Sequence, residues 1–351
     1  MKAKKLLSVA LTSVLATSLL AGCGTSGNDE GAGKTGDEGK KMTIAMVTDV
    51  GGIHDNSFNQ AAWEGLTRAK DELGINTKVS ESKRAEDYTP NLTAFVKENA
   101  DLTWGIGFLM ENDVKKVAQD NPNQKLGIVD SDLGGDIPKN VLSVTFKEEE
   151  GSFLMGVLAG KMTKSKKVGF VGGVKFALIE KFEYGYKAGV KTVCPDCEVI
   201  TAYAGAFDKP DQGKLLASQM YQQGADIIFH ASGATGDGVF SEAKERGAGH
   251  WVIGVDRDQN SLAPDNTLSS MVKRVDNAVY QVAKDLQDGK FAGGTNKVFG
   301  LAEDGVGYAP TTKNNTPQDV IDLMDEYKDK IVKGDIKVPA TADAFKSFKA
   351  E

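Results

Sequence analysis

A small set of residues in this chain could hold a ligand without transforming it. Phe58 and Phe207 offer aromatic faces. Asp49, Asp55, Asp130 and Asp256 offer carboxylates, Asn59 an amide and Lys273 a cation. Each falls at or just beyond the end of a short apolar run. Aromatic faces stack flat rings, worth about 1–3 kcal/mol per base in comparable settings. Carboxylates accept hydrogen bonds from paired hydroxyls or ring N–H groups, and charged acceptors make the stronger bonds. The mix suits a polyhydroxylated ligand carrying a flat ring. It holds no nucleophile with a base and an orienting acid, so no catalytic residue is assigned. Plainer roles compete. Strand-end acids also cap helices, and Phe58, one step into a helix, could be core. His54, His230 and His250 are too scattered to ligate a metal.

The elements that must position these groups alternate. The pattern predicts strands at 42–48, 77–81, 102–108, 125–130 and 141–146, with helices between them. Ser57 is the expected cap of a helix running to Leu73, and Gly74 its stop. A helix follows at 148–162. The rhythm then repeats, with strands at 167–171, 198–203, 226–230, 250–255 and 267–272. Helices are expected at 178–193, 210–223, 239–246 and 274–287. A strand at 297–301 and a helix at 317–332 close the chain. Strands alternating with helices imply parallel sheets, and two sets imply two doubly wound lobes. Ligands of such sheets bind beyond the carboxyl ends of the strands, where the residues named above lie.

The first residues have a different purpose. Lys2, Lys4 and Lys5 precede an uncharged apolar stretch, Leu6–Leu20, and then Ala21-Gly22-Cys23. That order is a secretory signal peptide at 1–22, too short to span a bilayer comfortably. The small residues before Cys23 resemble a lipoprotein lipobox, which implies cleavage before Cys23 and a lipid on its sulfur. Residues 23–41 are rich in glycine and mixed charge. They read as a flexible tether with a reach of roughly 20–25 Å. Gly31-Ala32-Gly33-Lys34-Thr35 within it mimics a phosphate loop, but Asn28 stands where the first glycine is required and no strand precedes it.

Removing the leader, with its three lysines and no acid, takes the net charge from −7 to −10. An acidic surface excludes nucleic acid as a partner and confines membrane contact to the anchor. Outside the cytoplasm the pair Cys194 and Cys197 is expected to form a small disulfide, with free thiols the alternative. A redox motif would open a helix after a strand, whereas this pair follows a helix and precedes a strand.

Longer segments carry a family signal. They include Asp55-Asn56-Ser57-Phe58-Asn59-Gln60-Ala61-Ala62-Trp63-Glu64-Gly65, Gly105–Phe108, Val129-Asp130 and Glu149–Gly156. Val168–Gly173, Phe182–Gly189, Ile253-Gly254-Val255-Asp256-Arg257-Asp258-Gln259 and Ile331–Pro339 extend it. The chain resembles the basic membrane protein family, the purine nucleoside receptor group of ABC-transporter substrate-binding proteins. The resemblance runs from Cys23 nearly to the end. It implies a type I periplasmic-binding-protein fold, α/β, with two lobes joined by a three-stranded hinge. One lobe would hold 42–146 plus 273–302, the other 147–272 plus 303–345. By the same resemblance Phe58 and Phe207 stack the base, Asp256 accepts the ribose diol with Lys273 nearby, and Asp130 reads the base. Asp55, Asn59 and Gly233 would support them. The sequence departs from the family at Phe207-Asp208-Lys209-Pro210, where many relatives have an acid before the proline, and in its cysteine pair.

The implied protein is a monomeric, lipid-anchored extracytoplasmic receptor. It would need no cofactor, capture a nucleoside, and deliver it to a permease with a cytoplasmic ATPase subunit. Three other readings remain at this stage; one of them, a purely adhesive or immunogenic surface lipoprotein, would not require polar residues converging at strand ends. A sugar or furanosyl-signal receptor would keep Asp256 without needing two aromatics. A nucleoside hydrolase would need a general acid or metal that the strand ends lack.

Overall fold

The structure is a computed structural model, and it describes residues 41–349. The leader, Cys23 and the tether up to residue 40 lie outside the described residues. In chain order the elements are β1 (Thr43–Thr48), α1 (Phe58–Leu73), β2 (Asn76–Glu81), α2 (Tyr88–Lys97), β3 (Leu102–Ile106), α3 (Glu111–Asp120), β4 (Leu126–Val129) and β5 (Val141–Phe146). Then come α4 (Glu148–Met162), β6 (Lys167–Gly172), α5 (Ala177–Val193), β7 (Glu198–Tyr203), α6 (Pro210–Gln222), β8 (Ile227–Ala231), α7 (Gly236–Arg246), β9 (Trp251–Asp256) and β10 (Thr267–Lys273). The chain ends with α8 (Val275–Gln287), β11 (Thr295–Phe299), β12 (Val306–Tyr308), α9 (Gln318–Lys333) and α10 (Ala342–Ser347).

These strands form two six-stranded sheets, one per lobe. The first is ordered β11-β5-β4-β3-β1-β2 and is parallel throughout. The second is ordered β12-β10-β9-β8-β6-β7 and is parallel except for β12. The chain passes between sheets after β5, after β10 and after β11. Central strands are buried on both faces, so they are continuous apolar runs rather than alternating ones. Ile44, Ala45, Met46 and Val47 in β1, and Ile227, Ile228 and Phe229 in β8, are wholly buried. The uniformly apolar run of α4 has the same cause: Phe153, Leu154, Val157 and Leu158 are all covered.

The structure departs from the sequence expectations in local detail. The strand from Leu102 stops at Ile106, because Gly107 (φ 114°) turns the chain into a short 3-10 segment, Phe108–Met110. Strand β12 has only three residues, one of them glycine, and carries no readable period. Helix α10 is a single capped turn and a half; Thr341 Oγ1 accepts from the Ala344 amide at 3.2 Å. Ser57 does not cap α1. Asp55 does so instead, accepting from the amides of Ser57, Asn59 and Gln60 at 2.9–3.0 Å.

Candidate ligand-binding site

The carboxyl ends of both sheets face one narrow cleft. Phe58, Phe207, Asp256, Lys273, Asp130, Asp55, Asn59 and Gly233 all line it. Asp49, Phe108, Phe182 and Ser232 line it too. Asp49 and Ser232 stand at strand ends, so the rule that gathered the others also covers them. Phe108 was concealed by the overlong strand, and Phe182 by its place inside the core pattern of α5.

Local backbone geometry aims the side chains. Asp130 follows β4 and Asp256 ends β9, and both adopt left-handed backbone (φ 68° and 65°). Aspartate tolerates that region better than most residues, and such strain concentrates at ligand sites. Phe207 lies against Gly173, where a Cβ would stand 2.2 Å from the ring. The bare backbone of Gly173 therefore makes room for the ring. Gly107 similarly lies under the Phe58 ring, its missing Cβ 3.4 Å from Cε1.

Two polar clusters divide the cleft. In the first, Asn59 Nδ2 donates to Asp49 at 2.7 Å and to Asp55 at 3.0 Å. The Gly51 amide also donates to Asp49, at 2.9 Å. Burial, with the Asp55 charge adding to it, pushes Asp49 up to about 6, although the bonds from Gly51 and Asn59 favour its charged form. Asp55 is raised by burial as well. Its oxygens are already engaged by α1, so it holds the helix start and its Phe58 in place.

The second cluster is centred on Lys273. Its Nζ lies 2.5 Å from Asp130 Oδ2 and 3.1 Å from Glu148 Oε1. It also stands 5.0 Å, 5.1 Å and 5.6 Å from the ring centroids of Phe58, Phe146 and Phe182. These rings supply a cation–π surround. Burial disfavours the ammonium, but Asp130, Glu148 and Asp256 outweigh it and hold its pKa above the ordinary value. Burial raises Asp130 to about 6 against the pull of Lys273. Asp130 Oδ1 is buried with no partner, an acceptor free for a ligand donor. Asp256 is raised to about 7, again by burial, with Lys273 and Ser57 opposing. Ser57 Oγ donates to Asp256 Oδ2 at 2.5 Å.

Beneath the cleft His230 is buried and bonded through Nε2 to Gln259 Oε1 at 3.0 Å; burial lowers it to about 4, so it is neutral. Phe108 of the first lobe stacks on Phe176 of the second, with centroids 4.5 Å apart and planes 9° apart, and meets Phe207 edge-on at 6.1 Å. A disulfide joins Cys194 to Cys197 in the turn between α5 and β7, away from the cleft. The site thus offers aromatic faces, buried acceptors and one engaged cation, an arrangement that binds rather than reacts.

Known proteins share this architecture. The chain is 44% identical over 360 residues to the CD4+ T-cell-stimulating antigen of Listeria innocua, covering 96% of this chain and 99% of that protein. It is 35% identical over 356 residues to the ABC transporter nucleoside-binding protein BmpA of Lactococcus lactis, covering 96% and 99%. Among solved structures, an ABC transporter solute-binding protein from Aeropyrum pernix superimposes with a TM-score of 0.79 at 30% identity, covering 87% of this chain and 96% of that one. The family model described as ABC transporter substrate-binding protein, PnrA-like, matches residues 42–342. The chain therefore belongs to the Bmp family of ABC transporter substrate-binding proteins, and it is a binding protein rather than an enzyme.

Proposed function

We propose that this protein captures nucleosides, purine nucleosides foremost, in the cleft between its lobes and passes them to an ABC permease. The observation that carries the reading is the placement of Phe58 and Phe207 on one cleft with the buried acceptors Asp130 and Asp256. The rings take the faces of a base. Asp256 takes the ribose diol, with Ser57 steadying the carboxylate. The unpartnered Oδ1 of Asp130 takes an N–H donor of the ligand, which the 6-oxopurines supply. Asp49 and Asn59 form a second polar wall for the base edge. Lys273 keeps Asp130 ionised. The relative from Lactococcus lactis, named as nucleoside-binding, supports the same ligand class. Mass spectrometry of ligand retained through native purification tests it. A nucleoside mass is expected; a free sugar in its place would overturn the reading.

The anchor belongs to the same proposal. Cys23 carries the lipid, the tether lets the lobes work near the membrane, and the protein acts as a monomer beside its permease and ATPase. The domain limits proposed are 42–146 plus 273–302 and 147–272 plus 303–345. Cys23→Ser should abolish palmitate labelling and release the protein from the membrane fraction. Unchanged label and membrane content in that variant would sink the anchor.

A further inference from the structure

Two of the segments that carried the family resemblance, 55–65 and 253–259, touch each other across the cleft. Gln259 Nε2 donates to the Asn56 carbonyl at 3.0 Å. Ser57 Oγ bonds Asp256, as described. Farther out, Arg257 grips Glu64 through Nε at 3.1 Å and a terminal nitrogen at 2.5 Å, a two-pronged guanidinium–carboxylate contact. Neither Glu64 nor Arg257 lines the ligand cleft. Both keep part of their side chains in solvent, so their replacement leaves the cores intact. A bond from Asn56 Nδ2 to Asp237 at 3.1 Å joins the same two surfaces.

We propose that Glu64 and Arg257 form an interlobe clasp that positions Asp256 and sets how long a ligand stays bound. Arg257 follows Asp256 in the chain, and Asp256 holds a left-handed backbone at φ 65°. Fixing the Arg257 side chain to α1 therefore restrains the neighbouring strained residue. Helix α1 also carries Phe58, and Ser57 immediately precedes it. One rigid-body approach of the lobes thus seats the ring, the Ser57 bond and the clasp together. The fork geometry of arginine and carboxylate makes the contact directional, which a lysine could not reproduce. A contact made only when the lobes meet slows their separation, so its effect falls on dissociation. The part that concerns ligand residence rests on the nucleoside reading; the contact between lobes does not.

Glu64→Arg, Arg257→Glu and the double exchange test the clasp. Inosine dissociation is followed by stopped flow, and the radius of gyration of the free protein by small-angle X-ray scattering. Each single reversal places like charges face to face. It should raise the dissociation rate roughly tenfold, leave association within a factor of about two, and enlarge the free protein. The double exchange should recover most of both effects. Wild-type rates and dimensions in both single variants would overturn the clasp. So would a double exchange as impaired as the sum of its parts, because the charges would then act separately. Failure of the wild type to bind inosine would count against the nucleoside reading alone. The scattering comparison would still decide the clasp.

Discussion

Asp130 and Asp256 stand at the ends of corresponding strands, third in the order of each sheet, and both hold left-handed backbone. Lys273 bonds Asp130 directly, and its charge also acts on Asp256. The two lobes thus present matched carboxylates with one cation beside them, although the carboxylates are committed differently. Asp256 shares an oxygen with Ser57, and Asp130 keeps one oxygen without a partner.

Asp256→Asn should therefore weaken nucleoside binding by about 2–4 kcal/mol, or roughly 30- to 1,000-fold in Kd. The substitution keeps the shape, removes a charge-assisted bond and sets an amide donor among donors. The loss should shrink for 2′,3′-dideoxynucleosides, which have no diol to lose. Calorimetry of both proteins with both ligands checks it. An equal factor for the two ligands would make Asp256 a scaffold residue.

Lys273→Met should leave Asp130 and Glu148 buried without their cation while roughly preserving the packing against Phe58, Phe146 and Phe182. Breaking a buried pair costs about 3–5 kcal/mol. Near pH 5 protonation of Asp130 can relieve the unpaired charge, so the destabilisation should grow as pH rises. Urea unfolding of variant and wild type at pH 5 and pH 8 measures this. A loss independent of pH would show that packing, not charge, is what the lysine provides.

The buried acids also set a pH window for the whole protein. Asp49 and Asp130 titrate near 6 and Asp256 near 7, all raised above the ordinary 3.8 by burial. Between about pH 4 and 7 the folded state then binds more protons at these groups than the unfolded state. Their contribution to stability is fully present below 3.8 and is lost as pH rises through 6–7. His230, lowered to about 4, works the other way, losing its contribution as pH falls from 6.5 towards 4. Glu149, raised by burial to about 7, adds to the three aspartates; together they outweigh one histidine, so the ligand-free protein should melt at a lower temperature at pH 7.5 than at pH 5.5. Nucleoside affinity should rise over the same interval as Asp256 ionises. Scanning calorimetry of wild type and Asp256→Asn would show it, with a shallower decline in the variant. Identical slopes would remove Asp256 from the account.

The disulfide closes a short loop away from the cleft. Replacing Cys194 and Cys197 by serine should cost at most about 1–3 kcal/mol, because so short a loop restrains little chain entropy. Nucleoside affinity should not change. Thiol titration in denaturant should find the pair oxidised in native protein. Two free thiols would contradict that.

The alternation of strands and helices was legible because buried parallel strands are unbroken apolar runs, as in Ile44–Val47. The strand-end rule gathered Phe58, Asp130, Phe207, Asp256 and Lys273, which line the cleft, but also Met110, Glu111, Asn112, Asp208 and Arg257, which do not. Other features depended on distant partners. Ser57 reads as a helix cap, but its hydroxyl is drawn to Asp256 in the other lobe, and Asp55 caps the helix in its place. Nothing within a few residues of Lys273 announces Asp130 or Glu148, which lie more than a hundred positions away. The left-handed turns at Asp130 and Asp256 carry no local signature, since aspartate also sits in ordinary loops. Phe108 could have been found from Gly107, a residue suited to ending a strand.

The central claim, that the cleft recognises a base and a ribose together, is tested most directly by titration calorimetry with inosine, guanosine, adenosine, uridine and free ribose. Binding of the purine nucleosides should be tightest, uridine weaker, and ribose barely detectable. The melting temperature should follow the same order, since a ligand at about a hundredfold excess over Kd adds roughly 2.7 kcal/mol of stability. Ribose binding as tightly as the nucleosides would contradict the account, because Phe58 and Phe207 would then contribute nothing to recognition.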